Sequence, residues 1–146
     1  VVPDIVSLAK SLGSGVPVGA CLVSSELAGS IKENDLGTTF GGGMIAMAAV
    51  KATLDVIERE DLLANAKQIE GWVRNACSQS GAVKTVHGKG CLLGIEFDGG
   101  ARNYYQKLLD ANIITGMSSD PNVLRLLPPL NVTESEIGLF AEVLHG

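Results

Sequence analysis

Three stretches of the chain carry side chains whose types and spacing can do chemistry. Lys10 closes the apolar run Asp4-Ile5-Val6-Ser7-Leu8-Ala9 and precedes the turn-rich segment Gly13 to Gly19. An ammonium moved into apolar surroundings loses hydration, its pKa falls, and the neutral amine becomes a nucleophile toward aldehydes. Such a lysine can hold an aldehyde cofactor as a Schiff base and, once released, shuttle a proton. The same residue types also fit a lysine whose stem lies along the strand end while its head stays in water. The second stretch is Gly37-Thr38-Thr39-Phe40-Gly41-Gly42-Gly43, two adjacent hydroxyls and a glycine run ahead of a helical pattern. Free N–H groups at a helix start attract phosphate, glycines let the backbone come close, and Thr38 and Thr39 add hydroxyl donors. A flexible interdomain loop with a threonine cap would use the same residues. The third is Arg125, within Asn122-Val123-Leu124-Arg125-Leu126-Leu127-Pro128-Pro129. A guanidinium among apolar residues needs an anionic partner, and its fork suits a carboxylate bidentately. A salt bridge within the chain, or a strand face turned to solvent, accounts for it as well.

Other polar residues offer less. His87, in Val86-His87-Gly88-Lys89-Gly90, reads as part of a turn into a strand, and His145 is next to the last residue. Neither has a partner at metal-ligand spacing. Glu96 alternates away from the apolar face of its strand and reads as solvated, and Asp98-Gly99-Gly100 is a turn. Cys21, Cys77 and Cys91 form no CxxC pair, so neither a zinc site nor a disulfide framework is expected, and a reducing cytoplasm suits them. Eleven Lys and Arg stand against 16 Asp and Glu, a net charge of -5 without a basic run, which argues against nucleic acid as the main partner. No apolar stretch is long enough to span a membrane. The start, Val1-Val2-Pro3-Asp4, reads as the middle of a longer chain.

The elements that must position these residues follow from periodicity. Residues 4 to 9 and Ala20 to Val23 are short apolar runs of strand length, and Ser24-Ser25-Glu26 opens a short helix. Met47, Val50, Leu54 and Ile57 recur at helical spacing, and Leu62, Ala66, Ile69, Val73 and Ala76 continue the pattern after Asp61, a candidate cap for a second helix. Cys91, Leu93, Ile95 and Phe97 alternate as in a strand. Residues 101 to 111 read as a helix with Tyr104, Tyr105 and Leu108 inward. Ile113-Ile114-Thr115 and Val123 to Leu127 are further strand candidates, and Thr133-Glu134-Ser135-Glu136 has the spacing of a capping box that starts a terminal helix. The order suggests two structural parts, joined near residues 58 to 62 or by the long helix itself.

Taken in order, these segments resemble the class III, fold-type I pyridoxal-phosphate-dependent aminotransferases, in particular the acetylornithine aminotransferase group. Pro3 to Gly13 resembles the cofactor-lysine segment, Gly37 to Gly42 the phosphate loop, Val86 to Glu96 a small-domain strand and Asn122 to Leu130 the substrate-carboxylate segment. The resemblance implies an α/β fold: residues 1-58 ending a large cofactor-binding domain with its interdomain helix, and residues 59-146 forming a small C-terminal α+β domain. It implies pyridoxal 5'-phosphate as cofactor, held covalently by Lys10, which also acts as acid and base. Thr38 and Thr39 would bind the cofactor phosphate of a neighbouring subunit in a homodimer with shared active sites, and Arg125 would bind the substrate carboxylate. The implied reaction moves an amino group from N-acetylornithine or a related ω-amino acid to 2-oxoglutarate, a step of arginine biosynthesis. Two departures matter. Gly43-Met44 stands where the family often has Asn-Pro. The family's upstream phosphate segment, ring-stacking aromatic and pyridine-pairing Asp are not in these residues, so little turnover is expected from this chain alone. The alternative is a non-catalytic dimerising module with Lys10 unmodified. Residues 1 to 43 are expected to rearrange or order poorly without the remaining strands of a large sheet.

Overall fold

Burial of one strand face organises most of the polypeptide. A computed structural model describes residues 1–146, which divide into two units, Val1–Glu60 and Asp61–Gly146. In the second unit, α3 (Leu62–Ser78) is followed by β3 (Val83–Lys89), β4 (Leu92–Phe97), α4 (Arg102–Asp110), β5 (Gly116–Met117), β6 (Val123–Leu126) and α5 (Glu134–His145). The strands form one antiparallel sheet in the order β3-β4-β6-β5. Alternation in β4 sends Leu93, Ile95 and Phe97 to one face, and β6 matches it with Leu124 and Leu126. Ile69 and Val73 of α3, Leu108 of α4, and Ile137, Phe140 and Leu144 of α5 cover that face. Full burial of an Ile, Leu or Phe contributes on the order of 1.5–3 kcal/mol each. Tyr104 stacks on Phe97 with ring centres 4.2 Å apart.

The first unit has almost no interior. It holds β1 (Ile5–Leu8), a 3-10 turn (Lys10–Gly13), β2 (Ala20–Val23), α1 (Ser25–Ala28) and α2 (Met44–Arg59). Residues 1 to 43, expected to rearrange without a larger sheet, form an antiparallel β1-β2 pair, and the 3-10 turn packs on α2. Only Gly13 is buried among residues 1–60, and no residue of α2 is. Ile5, Leu22, Phe40, Met44 and Ile45 are 56–89% exposed.

Several local expectations hold and others need correcting. Thr133 and Glu136 form the expected capping box, with the Glu136 amide donating to Thr133 Oγ1 and the Thr133 amide donating to Glu136 Oε2 at 2.8 Å. Ser24 caps α1 through the Leu27 amide. Asp61 does precede α3, but it caps nothing with its side chain; its left-handed backbone (φ 48°) makes the break. Ile113-Ile114-Thr115 is not a strand. These residues are spent leaving α4: Asn112 is left-handed (φ 61°), and the Ile113 amide donates to Leu108 O at 2.8 Å. Pairing begins only at Gly116. His87 lies inside β3 rather than in a turn, because the reversal occurs at Gly90-Cys91.

The β3-β4 hairpin is fixed to α3 by a pair of charged residues one helical turn apart. Glu70 Oε1 accepts from Arg74 Nε at 2.9 Å, and Glu70 Oε2 accepts from the Gly90 amide at 2.7 Å. Arg74 also donates to the carbonyls of Val86 and Gly88, both at 2.8 Å. Gly88 allows this path. Its φ is +91°, and a Cβ there would collide with the Leu92 carbonyl oxygen. Gly88→Ala should therefore lower stability by roughly 1–3 kcal/mol, read as a reduced chemical-denaturation midpoint; an unchanged midpoint would contradict this account. The Gly90 amide, and next Arg74, hold the Glu70 carboxyl below its ordinary value. Unfolding returns it to that value, so its contribution is full above the unfolded pKa and disappears as pH falls through the lowered folded one. The thermal midpoint should drop on acidification below about pH 4.5, and Glu70→Gln should drop less.

Candidate active site

Lys10 is set by backbone geometry rather than by burial. After Ala9, still extended at φ -162°, Lys10 turns left-handed at φ 57° and begins the 3-10 turn. The Leu12 amide donates to Ala9 O at 3.2 Å and closes it. A left-handed lysine costs on the order of 1–2 kcal/mol, and such outliers gather at functional sites. Lys10 therefore does not end the strand as expected but opens the turn after it. It is exposed and in no salt bridge, so the apolar shielding expected of it is not supplied by residues 1–60.

Thr38 and Thr39 lie in the same unit, exposed, in the loop leading to α2. Gly42 is left-handed at φ +70°, and the Thr38 methyl fills the place a Cβ on Gly41 would take. Gly43 caps α2 without a side chain, and the first turn of α2 has no acidic residue. The first amides of α2 are thus left without intrahelical or side-chain acceptors, a geometry that suits an anion.

Arg125 sits in the second unit at the centre of β6. The burial of Leu124 and Leu126 turns it to the opposite, exposed face, so it is not a guanidinium in apolar surroundings. It enters no salt bridge. Gly94 of β4 and Gly116 of β5 flank it in register. The same sheet face carries a charge cluster that sequence reading missed. Glu96, expected to be solvated, accepts from Lys84 Nζ at 2.6 Å, and its second oxygen lies 3.0 Å from His87 Nε2. The Lys84 hydrogen bond, and next His87, lower the Glu96 pKa, and the same bond raises that of Lys84. No spacing in the sequence announces this cluster, since it depends on the cross-strand register. His145 is structural, its Nε2 2.9 Å from Ala76 O. No group of three or more His, Cys, Asp or Glu is placed to hold a metal ion.

The sequence profile of the class-III aminotransferases matches residues 1–146, the whole chain. The chain belongs to this family. It is 41% identical over 138 residues to the acetylornithine aminotransferase of Bacillus subtilis (strain 168), covering 92% of this chain and 36% of the relative. It is 35% identical over 142 residues to that of Archaeoglobus fulgidus, covering 97% and 37%. The fold superposes on the crystal structure of acetylornithine aminotransferase from Elizabethkingia anophelis with a TM-score of 0.83 at 29% identity, over 99% of this chain and 39% of that one. For an ornithine aminotransferase from Plasmodium yoelii the TM-score is 0.81 at 30% identity, over 99% and 40%. The chain thus spans little more than a third of the curated relatives it matches. Members of this α/β family use pyridoxal phosphate.

If Lys84 is the main cause of the low Glu96 pKa, Lys84→Met should raise it toward 4.5. A pH titration of the side-chain carboxyl by NMR reads this directly, and an unmoved midpoint would refute the assignment.

Proposed function

We propose that this chain carries the cofactor lysine, a phosphate loop and the carboxylate-binding arginine of a transaminase that moves an amino group from N-acetylornithine or a related ω-amino acid to 2-oxoglutarate. The observation that carries the reading is the left-handed, unpaired Lys10 at the head of a tight turn, within a segment that matches the family along its whole length. The donor set fits the cofactor: one amine for its aldehyde, and two hydroxyls beside an uncapped helix start for its phosphate. When bound, pyridoxal phosphate supplies an electron sink for charge developing at the amino-bearing carbon of the substrate.

The chain's own residues do the rest. Lys10 Nζ holds the cofactor covalently and, when free, carries a proton to or from the reacting carbon. The Thr38 and Thr39 hydroxyls, with the first amides of α2, grip the cofactor phosphate of a second subunit, which makes the working enzyme a homodimer with shared sites. Arg125 grips a substrate carboxylate with its planar fork and so fixes which bonds face the amine. Residues 1-58 end the cofactor-binding domain in this reading, and residues 59-146 form the small domain. Three free cysteines suit a reducing cytoplasm.

A second reading, a non-catalytic dimerising module, draws support from the near absence of buried residues in the first unit. One experiment separates the two. The chain is treated with limiting pyridoxal phosphate, reduced with borohydride and mapped by mass spectrometry. The enzyme reading expects the label at Lys10 ahead of the exposed Lys51, and its loss in Lys10→Ala. Equal labelling of all lysines would favour the module.

A further inference from the structure

The surroundings of Arg125 are more specific than a surface arginine requires. Register aligns His87, Gly94, Arg125 and Gly116 in one row across the sheet, on the face opposite the core. The residue on each side of Arg125 is therefore a glycine. The two flanks are not equivalent. A Cβ built on Gly116 would lie 3.4 Å from Arg125 Nη2 and 3.6 Å from its Nε. The guanidinium thus leans over β5 and rests against the bare backbone of Gly116. A Cβ built on Gly94 would meet Val123 Cγ1 at 3.2 Å and His87 Cβ at 3.9 Å, with no atom of Arg125 among its nearest neighbours. On that side the Val123 methyl, not the guanidinium, overhangs the glycine. Glu96 follows Gly94 by two residues on the same face. Both its oxygens are engaged by Lys84 and His87.

We propose that Gly116 is a positioning residue for Arg125: its missing side chain leaves the berth in which the guanidinium lies. The proposal rests on the reading of Arg125 as the carboxylate-binding group and adds a determinant to it. A methyl at position 116 is tolerated, since 3.4–3.6 Å is ordinary van der Waals contact. A longer side chain fills the berth and lifts the guanidinium away. Gly116 does not have a left-handed backbone, so such a substitution adds no φ strain.

The test uses the whole chain with 2-oxoglutarate as probe, following the backbone amide signals of Gly94 and residue 125 by NMR. Wild type should show saturable shifts. Gly116→Ala should bind within about twofold of wild type, whereas Gly116→Leu should bind roughly fivefold or more weakly, a difference on the order of 1 kcal/mol. Arg125→Lys should lose the saturable shift. The unperturbed sheet amides of each variant report whether it is folded. If Gly116→Leu is not, Gly116→Val, whose branched side chain suits a strand, carries the same expectation. Wild-type affinity in the folded Leu or Val variant, with binding lost in Arg125→Lys, would overturn the role of Gly116 while leaving the carboxylate reading intact. Unaltered binding in Arg125→Lys would remove the carboxylate reading itself.

Discussion

The pleat of β6 is the constraint on which the second unit depends. Leu124 and Leu126 must both enter the core beneath α3, α4 and α5, so the residue between them must leave it. Arg125 is thereby presented on the far face by the same alternation that stabilises the sheet. A one-residue slip would bury the guanidinium unpaired and expose two leucines at once, which makes the register strongly specified. Arg125 takes its direction from the core.

The first unit works on a different principle. Its strands bury almost nothing, and its long helix contributes no buried residue. What is specified there is backbone: a left-handed lysine, a closed 3-10 turn, a glycine-lined loop and a helix start without a side-chain cap. These features hold Lys10, Thr38 and Thr39 out rather than tucking them in. In the proposed enzyme, walls for such groups would come from other parts of the assembly.

The sequence was most informative where alternation or capping chemistry is local. Leu93, Ile95 and Phe97 announce β4, and the Thr133 to Glu136 spacing announces α5, because each pattern is decided within a few residues. It misled where a residue's surroundings depend on distant chain. Lys10 and Arg125 both follow or interrupt apolar runs, which left a shielded and a solvent-facing reading open for each; both are exposed. The Lys84–Glu96–His87 cluster and the glycines beside Arg125 were illegible because they exist only through strand pairing. The strand expected at Ile113 to Thr115 failed because the helix exit consumes those residues first.

The bond from the Gly90 amide to Glu70, with the two carbonyls held by Arg74, ties a two-residue reversal to the middle of a helix. Opening either piece by itself gives up three hydrogen bonds to charged side chains. Fluctuations of the reversal and of that helical turn are coupled through these shared bonds. The edge strand β3, which by position alone would be the first to fray, is held along its outer half by a helix instead of a neighbouring strand.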